Sequence, residues 1–285
     1  MMNPRRSKSR NTRLFALGSK PPEELLLTGH TYRLARVFKH DFFAATCLYT
    51  TDEPGAEFPR VVVKFGREQD FLGLPTDWLG VWNRRREEAI YRRIAGVDGT
   101  PRWIGRVGGT GYAIEYIDAV PLDHLDAPPP GFFDRLRELM DAIHARGVGY
   151  CDSNKRSNIL VDDAGQPYLV DFQLSLHRRE NWIWPWRQLI DRVVDYIIDR
   201  DLYHLYKHKR RLAPDRLTPE EDALSRKRTG LHLLHRKLTK PWRTLRRRFL
   251  RAQHRAGRLQ SPTAEMEDHH QPEKATWRDS SNDGD

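Results

Sequence analysis

The first part of the chain alternates short β-prone runs with turn residues. β-branched and aromatic residues dominate residues 32–50 and 59–65, and a Pro-Gly turn lies between these two stretches. This pattern predicts three antiparallel strands. Apolar positions in residues 78–96 then recur on one helical face, and a glycine ends the stretch. Two more β-like segments, 102–107 and 111–117, complete a predicted order of β-β-β-α-β-β.

Helical periodicity dominates the second part of the chain. A proline-rich break at residues 127–131 precedes a predicted helix at 132–147, and a longer helical pattern occupies 186–206. Thr218-Pro219-Glu220-Glu221 has the N-cap threonine, first-turn proline and third-position glutamate of a helix start. A further helix is expected from about Pro241. Strands followed by helices predict an α+β fold, with a small antiparallel-sheet lobe and a mainly helical lobe.

Composition then divides the chain into parts of different character. Both ends are polar and charged, which is typical of disordered segments. The predicted parts are a disordered basic N-terminus (1–20), a folded domain (21–205, with its small lobe at about 30–120 and its large lobe at about 121–205), a basic helical extension (206–260) and a disordered acidic tail (261–285).

The positive charge belongs to the flanks of this predicted domain. The formal net charge is +10, but residues 201–260 alone hold 18 Lys and Arg against 5 Asp and Glu. Charge without a binding motif does not identify a nucleic-acid-binding protein, so a nucleic-acid partner is not expected. Residues 226–258 combine an apolar helical stripe with arginines off that stripe. Two interpretations stay open: a helix packed on the large lobe, or a basic amphipathic helix on an anionic membrane surface.

Two cysteines and the lack of long apolar runs bear on location. Cys47 and Cys151 offer no disulfide framework and no zinc-ligand spacing, which fits a reducing compartment. The basic N-terminus has no apolar core typical of a signal peptide. No stretch approaches the roughly 18 apolar residues of a membrane-spanning helix. The sequence therefore predicts a cytoplasmic protein, with peripheral contact to the inner membrane face as a further expectation.

The chemically informative segment is residues 143–172. His144 lies eight residues before Asp152, and Asn158 lies thirteen residues before Asp171. With these spacings, and two short β-like pieces between the last two residues, the segment resembles the catalytic loop and metal-binding strand of the protein-kinase-like superfamily. The resemblance implies a two-lobed, protein-kinase-like fold. It covers roughly residues 30–200.

The resemblance implies phosphoryl transfer from ATP to a hydroxyl, with a role for each matched residue. Asp152 stands where the catalytic base orients the acceptor hydroxyl, and Asn158 and Asp171 stand where kinases hold Mg²⁺. These residue types suit the task, because Mg²⁺ is a hard cation that prefers oxygen ligands. Lys155 stands where kinases often have a lysine facing the transferred phosphate. His144 is interpreted as a packing and hydrogen-bonding residue, and Cys151 as a small buried neighbour of the loop.

Upstream residues match the nucleotide-binding part of the same pattern. Lys64 ends a β-prone run, as does the kinase lysine that holds the α/β-phosphates and pairs with a helix glutamate. Glu87 is the preferred partner because it shares a face with buried-type residues, and Glu88 is the alternative. Both glutamates could instead make i,i+4 ion pairs with neighbouring arginines. Glu115 and Ile117 lie in a segment that resembles the hinge, whose backbone binds adenine.

The chain departs from the regulated protein kinases in four places. Tyr150 and Cys151 replace the His and Arg before the catalytic Asp, the loop to Asn158 is one residue longer, and Gln173 replaces the glycine after Asp171-Phe172. The turn of the first predicted β-hairpin, residues 38–46, also lacks glycine, which restricts how closely its backbone can approach a phosphate. In these features the chain is more similar to atypical kinases of the RIO type and of the bacterial lipopolysaccharide (Kdo) kinase type.

Two functions and two acceptor classes follow as hypotheses. The chain is predicted to be an active ATP- and Mg²⁺-dependent kinase, and the alternative is a pseudokinase that binds nucleotide or acts as a scaffold. The interval from Gln173 to Pro185 is short and contains no Ala-Pro-Glu motif, so a small molecule or a lipid-linked glycan is favoured over a protein acceptor. The run Trp182, Trp184 and Trp186 has two interpretations: packing under the large lobe, which is favoured, or a membrane-interface belt.

Overall fold

The computed structural model describes residues 14–70, 74–179, 181–226, 248 and 262–263. The predicted α+β class is confirmed, since the first part of the chain forms mainly strands and the second part contains most of the helices. The described elements in chain order are β1 Glu24–Leu27, β2 His30–His40, β3 Ala44–Thr50, β4 Arg60–Gly66, α1 Asp77–Arg93, β5 Trp103–Val107, β6 Gly111–Glu115, β7 Val120–Pro121, α2 Phe132–Ala145, β8 Val148–Gly149, β9 Ile159–Val161, β10 Pro167–Leu169, β11 Leu176–His177, α3 Trp186–Leu212 and α4 Pro219–Arg226.

The chain divides into two compact units. Among the described residues, the first contains the chain up to Arg84, Gly105–Ala113 and the pair 262–263, and the second contains Arg85–Ile104 and residues 114–226. The first unit is built on the sheet and the second is mainly helical. The sheet has the strand order β1-β2-β3-β4-β6-β5. Its pairs β1/β2, β2/β3 and β3/β4 are antiparallel, as the sequence predicts for the last two.

The register of β3 and β4 explains the core of the first unit. Cys47 lies opposite Val63, and Tyr49 lies opposite Val61. All four side chains are buried. Alternate residues of a strand point to one face, so this pairing places one face of both strands in the interior. The β-branched run that predicted β4 therefore supplies half of a packed layer.

The segment before β1 differs from the expectation of disorder across residues 1–20. Phe15, Ala16 and Leu17 are buried. The Ala16 N–H donates to the carbonyl oxygen of Asp41 at 2.7 Å, and Arg67 Nη1 donates to the Phe15 carbonyl at 3.1 Å. An apolar triplet with its backbone groups paired in this way gains enough burial to become ordered, despite its charged neighbours.

The second unit is organised around α2 and α3. Buried residues recur at helical spacing on each helix, as predicted for α2; they are Phe133, Leu136, Met140 and Ile143 on α2, and Val194, Ile197, Asp201 and Leu205 on α3. α3 continues to Leu212, past residue 205 where the folded domain was expected to end. α4 begins as predicted: the Glu221 N–H donates to Thr218 Oγ1, and the Thr218 N–H donates to Glu221 Oε2.

Two expectations concern the remaining chain. The helix expected near Pro241 and most of the basic segment 226–258 lie outside the described residues. Within the described ranges, no helix has both the length and the apolar composition needed to pass through a bilayer.

Candidate active site

The predicted catalytic loop connects β8 to β9 in the second unit. Asp152 Oδ2 accepts a hydrogen bond from Asn158 Nδ2 at 2.9 Å. The same oxygen lies 2.9 Å from the Lys155 ammonium. A short 3₁₀ turn over Arg156–Asn158 delivers the asparagine side chain to this position. Three of the predicted site residues therefore meet at one carboxylate.

Asp171 adds a second carboxylate to this cluster. Burial, the dominant influence, raises the pKa of Asp152, and the negative charge of Asp171 raises it further. Lys155 and the Asn158 amide oppose this shift without cancelling it. Asp171 has φ 59°, the left-handed conformation that short acidic residues can adopt at modest cost. Asp152 and Asp171 are thus close enough to repel each other. This proximity is expected for a base and a metal ligand of one site.

An aromatic cluster forms around Phe172, the residue that follows Asp171. The ring of Phe172 lies 5.1 Å from that of Tyr150 and 5.3 Å from that of Tyr91, both edge-on. Tyr150 donates its hydroxyl to the Val170 carbonyl at 2.5 Å. Burial raises the pKa of Tyr150 well above its usual value, and Asp171 and Asp152 add to the effect. Tyr150, at the position where the protein-kinase pattern has a histidine, therefore stays neutral and packs the strand against the loop.

Asp201 is the functional residue that the sequence analysis missed. Its buried carboxylate on α3 accepts hydrogen bonds from the backbone N–H groups of Tyr150 and Cys151 and from the Ser153 hydroxyl. His144 Nε2 also donates to it at 3.1 Å, which agrees with the hydrogen-bonding role expected for that histidine. Four donors thus hold the start of the catalytic loop on one helix. An acidic residue on the apolar face of α3 was the available signal.

Cys151 differs from its expected burial. The residue is exposed and has φ 71°, a backbone conformation that residues other than glycine rarely adopt. Its N–H bond to Asp201 holds the backbone in this conformation. The pKa of its thiol is raised to about 11, by desolvation first and then by Asp201 and Asp152. The thiol is therefore protonated at neutral pH, and a protonated thiol is a poor nucleophile.

Both candidate glutamates of α1 are buried, but their surroundings differ. The Glu88 carboxylate pairs with Arg92 at 2.6 Å, the i,i+4 ion pair weighed as an alternative. Glu87 lies near Tyr91: burial is the main cause that raises the pKa of Tyr91, and the charge of Glu87 is the next, ahead of Asp171. Glu87 is therefore the glutamate near the Asp171 region of the second unit. Its pairing with Lys64 stays a prediction.

Lys64 lies on β4 in the first unit, opposite Thr46 in register. It is 9% exposed, so it is a buried strand residue and not a solvated one. A buried lysine retains its charge only when anionic or polar partners compensate for desolvation. This placement is compatible with the phosphate-binding role that the resemblance implies for Lys64.

The glycine-free β2–β3 turn uses two of its backbone N–H groups to bind its own aspartate. Asp41 Oδ1 accepts hydrogen bonds from the backbone N–H groups of Phe43 and Ala44, at 2.7 and 3.0 Å. Burial works to raise the pKa of Asp41, but Lys39 and these two N–H donors outweigh it and lower the pKa. The turn therefore directs two backbone donors to its own carboxylate. A phosphate would have to replace that carboxylate to use them.

The predicted hinge residues lie at and just after the end of β6, in the second unit. The Glu115 N–H donates to the Arg102 carbonyl at 2.9 Å, and its carboxylate pairs with the Arg102 guanidinium at 3.1 Å. The side chain of Glu115 is thus committed to Arg102. Ile117 lies two residues further, outside the strand. Adenine contacts through Glu115 and Ile117 stay a prediction.

The donor set fits a hard divalent cation. Asp152 and Asp171 bring two mutually repelling carboxylates together, and such repulsion is relieved when a cation binds. The Asn158 amide nitrogen is used by Asp152, which leaves its oxygen as a neutral ligand. In the described ranges, no group of three or more His, Cys, Asp and Glu is arranged to hold a metal ion. Mg²⁺ needs fewer protein ligands, because it keeps waters and shares substrate phosphates.

Comparisons with known proteins give a partial likeness to solved kinases. No protein-family model matches the chain, and no curated protein matches it. Rio2 kinase from Chaetomium thermophilum, solved as an ADP/Mg²⁺-phosphoaspartate complex, is similar over 62% of this chain and 56% of its own, with 15% identity and a TM-score of 0.45. Another structure of Rio2 kinase from this organism covers 63% and 58%, with 15% identity and a TM-score of 0.44. The chain thus spans less than two thirds of either solved chain.

Proposed function

We propose that this chain is an ATP-dependent phosphotransferase that moves the γ-phosphoryl group to a hydroxyl of an acceptor. The observation that carries the proposal is the cluster at Asp152, whose Oδ2 atom contacts both Lys155 Nζ and Asn158 Nδ2 at 2.9 Å. Asp171 lies close enough to raise the pKa of this carboxylate. A base, a cation and two oxygen-bearing ligands thus meet in one part of the second unit.

Each residue of the cluster has a role set by its surroundings. Asp152 accepts the proton of the acceptor hydroxyl, and a raised pKa makes a carboxylate a better base. Lys155 neutralises charge on the transferred group, and its half-exposed ammonium can turn from Asp152 to a phosphate. Asn158 and Asp171 would hold Mg²⁺, which when bound supplies neutralisation of phosphate charge.

The remaining predicted residues would hold the nucleotide. Lys64 would contact the α- and β-phosphates, with Glu87 as the glutamate that orients it. The assignment to Glu87 is supported by the Glu88–Arg92 ion pair, which commits Glu88 elsewhere. Backbone groups of Glu115 and Ile117 would contact adenine. The Glu115 N–H is already used by Arg102, so its carbonyl oxygen is the group proposed for this contact.

The first test is nucleotide-dependent stabilisation and turnover. ATP with Mg²⁺ at about 100 times its Kd should stabilise the folded chain by about 2.7 kcal/mol, which is a rise of several degrees in Tm. Asp152→Asn should retain that rise and abolish ATP turnover. Asp171→Asn should abolish turnover and reduce the Mg²⁺-dependent part of the rise. Asp163→Asn, at an exposed aspartate of the β9–β10 turn, is the matched control.

A pseudokinase is the second candidate, and the β2–β3 turn favours it. Asp41 occupies the two backbone donors of that turn, so tight phosphate binding must displace the Asp41 carboxylate. A Tm rise with ATP and Mg²⁺ but no turnover in the wild-type chain would establish this alternative. Turnover that both Asp152→Asn and Asp171→Asn leave intact would refute the phosphotransferase.

We also propose a small molecule or a lipid-linked glycan as the acceptor. After Asp171, the chain forms a 3₁₀ turn at Phe172–Leu174 and the short strand β11, and α3 begins at Trp186. Arg86 Nη2 donates to the carbonyls of Leu174 and Ser175, at 3.1 and 2.9 Å. This short, anchored segment leaves little chain for a peptide-binding platform.

A further inference from the structure

Nine consecutive residues of the second unit, 181–189, are exposed. They include the large apolar side chains Trp182 (47% exposed), Ile183 (76%), Trp184 (72%), Trp186 (57%) and Leu189 (52%). We call these five residues the tryptophan surface. Packing under the large lobe was the favoured interpretation of the three tryptophans, and their exposure shows that it is wrong. Large contiguous apolar surface in water is costly and typically marks an interaction site.

The chemistry of this surface is that of a bilayer interface. The indole ring joins an apolar body to a polar N–H, which is why tryptophan concentrates at the depth of lipid headgroups. From Asn181 to Ile190 the sequence contains no acidic residue and one arginine. Trp182, Ile183 and Trp186 also line an open depression of about 450 Å³. An apolar surface without acidic residues can enter the headgroup layer without desolvating a carboxylate.

Cations border the tryptophan surface on both sides. The Arg179 guanidinium lies 5.7 Å from the centre of the Trp182 ring, and the Arg187 side chain is 54% exposed. Asp191 and Asp195, the acidic residues that follow, both pair with Arg178. Asp191 also lies 3.8 Å from Arg187. Residues 178–195 contain four arginines against Glu180, Asp191 and Asp195, a formal charge of +1. This small positive excess complements anionic phospholipids.

We propose that the tryptophan surface docks on an anionic lipid bilayer, with the indoles in the headgroup region and Arg179 and Arg187 contacting lipid phosphates. A second copy of the chain fits less well. A twofold contact would place the same arginines of both copies at one interface, where like charges repel. The proposal concerns a surface, and it does not depend on phosphoryl transfer by the same unit.

Vesicle binding by the full-length chain tests the proposal. The vesicles contain phosphatidylcholine with 30% phosphatidylglycerol, or phosphatidylcholine alone, and binding is measured at about 0.15 M and 0.5 M salt. Surface charge attraction is strongly screened at 0.5 M, so the contribution of the basic segment 226–258 is reduced there. The wild-type chain should still bind the anionic vesicles at 0.5 M, and lipids brominated near the headgroup should quench its fluorescence.

The variant Trp182→Ala/Trp184→Ala/Trp186→Ala should bind anionic vesicles at least ten-fold more weakly, which corresponds to about 1.4 kcal/mol. Quenching by brominated lipid should fall with it. The matched control is Trp78→Ala/Trp82→Ala, which removes two exposed tryptophans of the first unit. That control should bind within two-fold of the wild-type chain. Trp184→Ala alone, at the most exposed indole, covers the case in which the triple variant does not fold.

Four outcomes would overturn the proposal. Equal binding by the wild-type and folded tryptophan variants would assign membrane contact elsewhere, as would quenching that survives in those variants. A wild-type chain that binds no vesicle at either salt concentration would exclude the bilayer as occupant. A wild-type dimer that becomes a monomer in the triple variant would assign the surface to self-association. None of these results depends on ATP turnover, so the proposed function is judged separately.

Discussion

The carboxylate of Asp152 is subject to opposing influences from its immediate surroundings. Burial and Asp171 raise its pKa, and the Lys155 ammonium at 2.9 Å is the strongest influence in the other direction. A general base works only in its deprotonated form. The pH at which activity is lost on the acid side therefore reports the balance between these charges.

Replacing Lys155 should shift that balance in a known direction. In Lys155→Met, the loss of the cation raises the pKa of Asp152, so the acid limb of the pH–rate profile should move to higher pH. The measurement is ATP turnover across the acid range, at saturating nucleotide. Arg156→Met, the neighbouring cation, is the control and should leave the limb in place. An unchanged limb in Lys155→Met would show that Asp152 is not the titrating base.

The proximity of the loop residues could be predicted because the signal for it is local. Asp152, Lys155, Asn158 and Asp171 lie within twenty residues of one another, and their spacing is visible in the sequence. The role of Asp41 depends instead on the conformation of a turn, and this glycine-free turn has no recognisable sequence pattern. A carboxylate that accepts from Phe43 and Ala44 becomes visible only when the backbone of the turn is known.

At the scale of elements, α3 supports the catalytic loop through Asp201. This residue is fully buried and accepts from two backbone N–H groups, a serine hydroxyl and His144. His208, further along the same helix, donates to the Ser153 carbonyl at 2.9 Å. Burial lowers the pKa of His208 to about 4, so the imidazole remains neutral at physiological pH. The loop is thus hydrogen-bonded to α3 at two positions, Asp201 and His208.

Removing the Asp201 carboxylate should destabilise the chain strongly. Asp201→Ala leaves buried donors without an acceptor, and we expect a loss on the order of 3–5 kcal/mol in the free energy of unfolding. Urea denaturation measures it, and turnover should fall as the loop loses its position. Asp199→Ala, at an exposed aspartate of the same helix, should cost less than about 0.5 kcal/mol. Equal effects of the two substitutions would contradict the supporting role of Asp201.

Elements were predictable where a local rule decides them. The start of α4 was predicted because Thr218 and Glu221 cap each other across one turn. Strand β1 was missed, although Thr28 and Gly29 with φ of 51° and 85° form the tight connection to β2. Threonine rarely adopts positive φ, so Thr-Gly is a weak hairpin signal compared with Asn-Gly. Pairing with β2 stabilises the strand, and that pairing is not visible in four residues of sequence.

At the scale of the whole molecule, the open question for the proposed enzyme is the acceptor. ATP labelled at the γ-phosphate should transfer label to a lipid and polar-metabolite extract more efficiently than to a total protein extract. The short segment between Phe172 and Trp186 is the reason, because it leaves little room for a peptide platform. Asp152→Asn should remove the labelling in both. Efficient, Asp152-dependent labelling confined to proteins would refute this acceptor class.

The length of α3 gives the tryptophan surface a consequence for the reaction. The helix begins at Trp186 and carries Asp201 in its middle. At 1.5 Å per residue, these positions are about 22 Å apart along the axis. A helix behaves as a stiff rod over this distance. A bilayer that held the first turn of α3 would therefore fix the distance between the membrane surface and the catalytic loop. A hydroxyl on an extended headgroup would then lie within reach, whereas one at the level of the acyl chains would not.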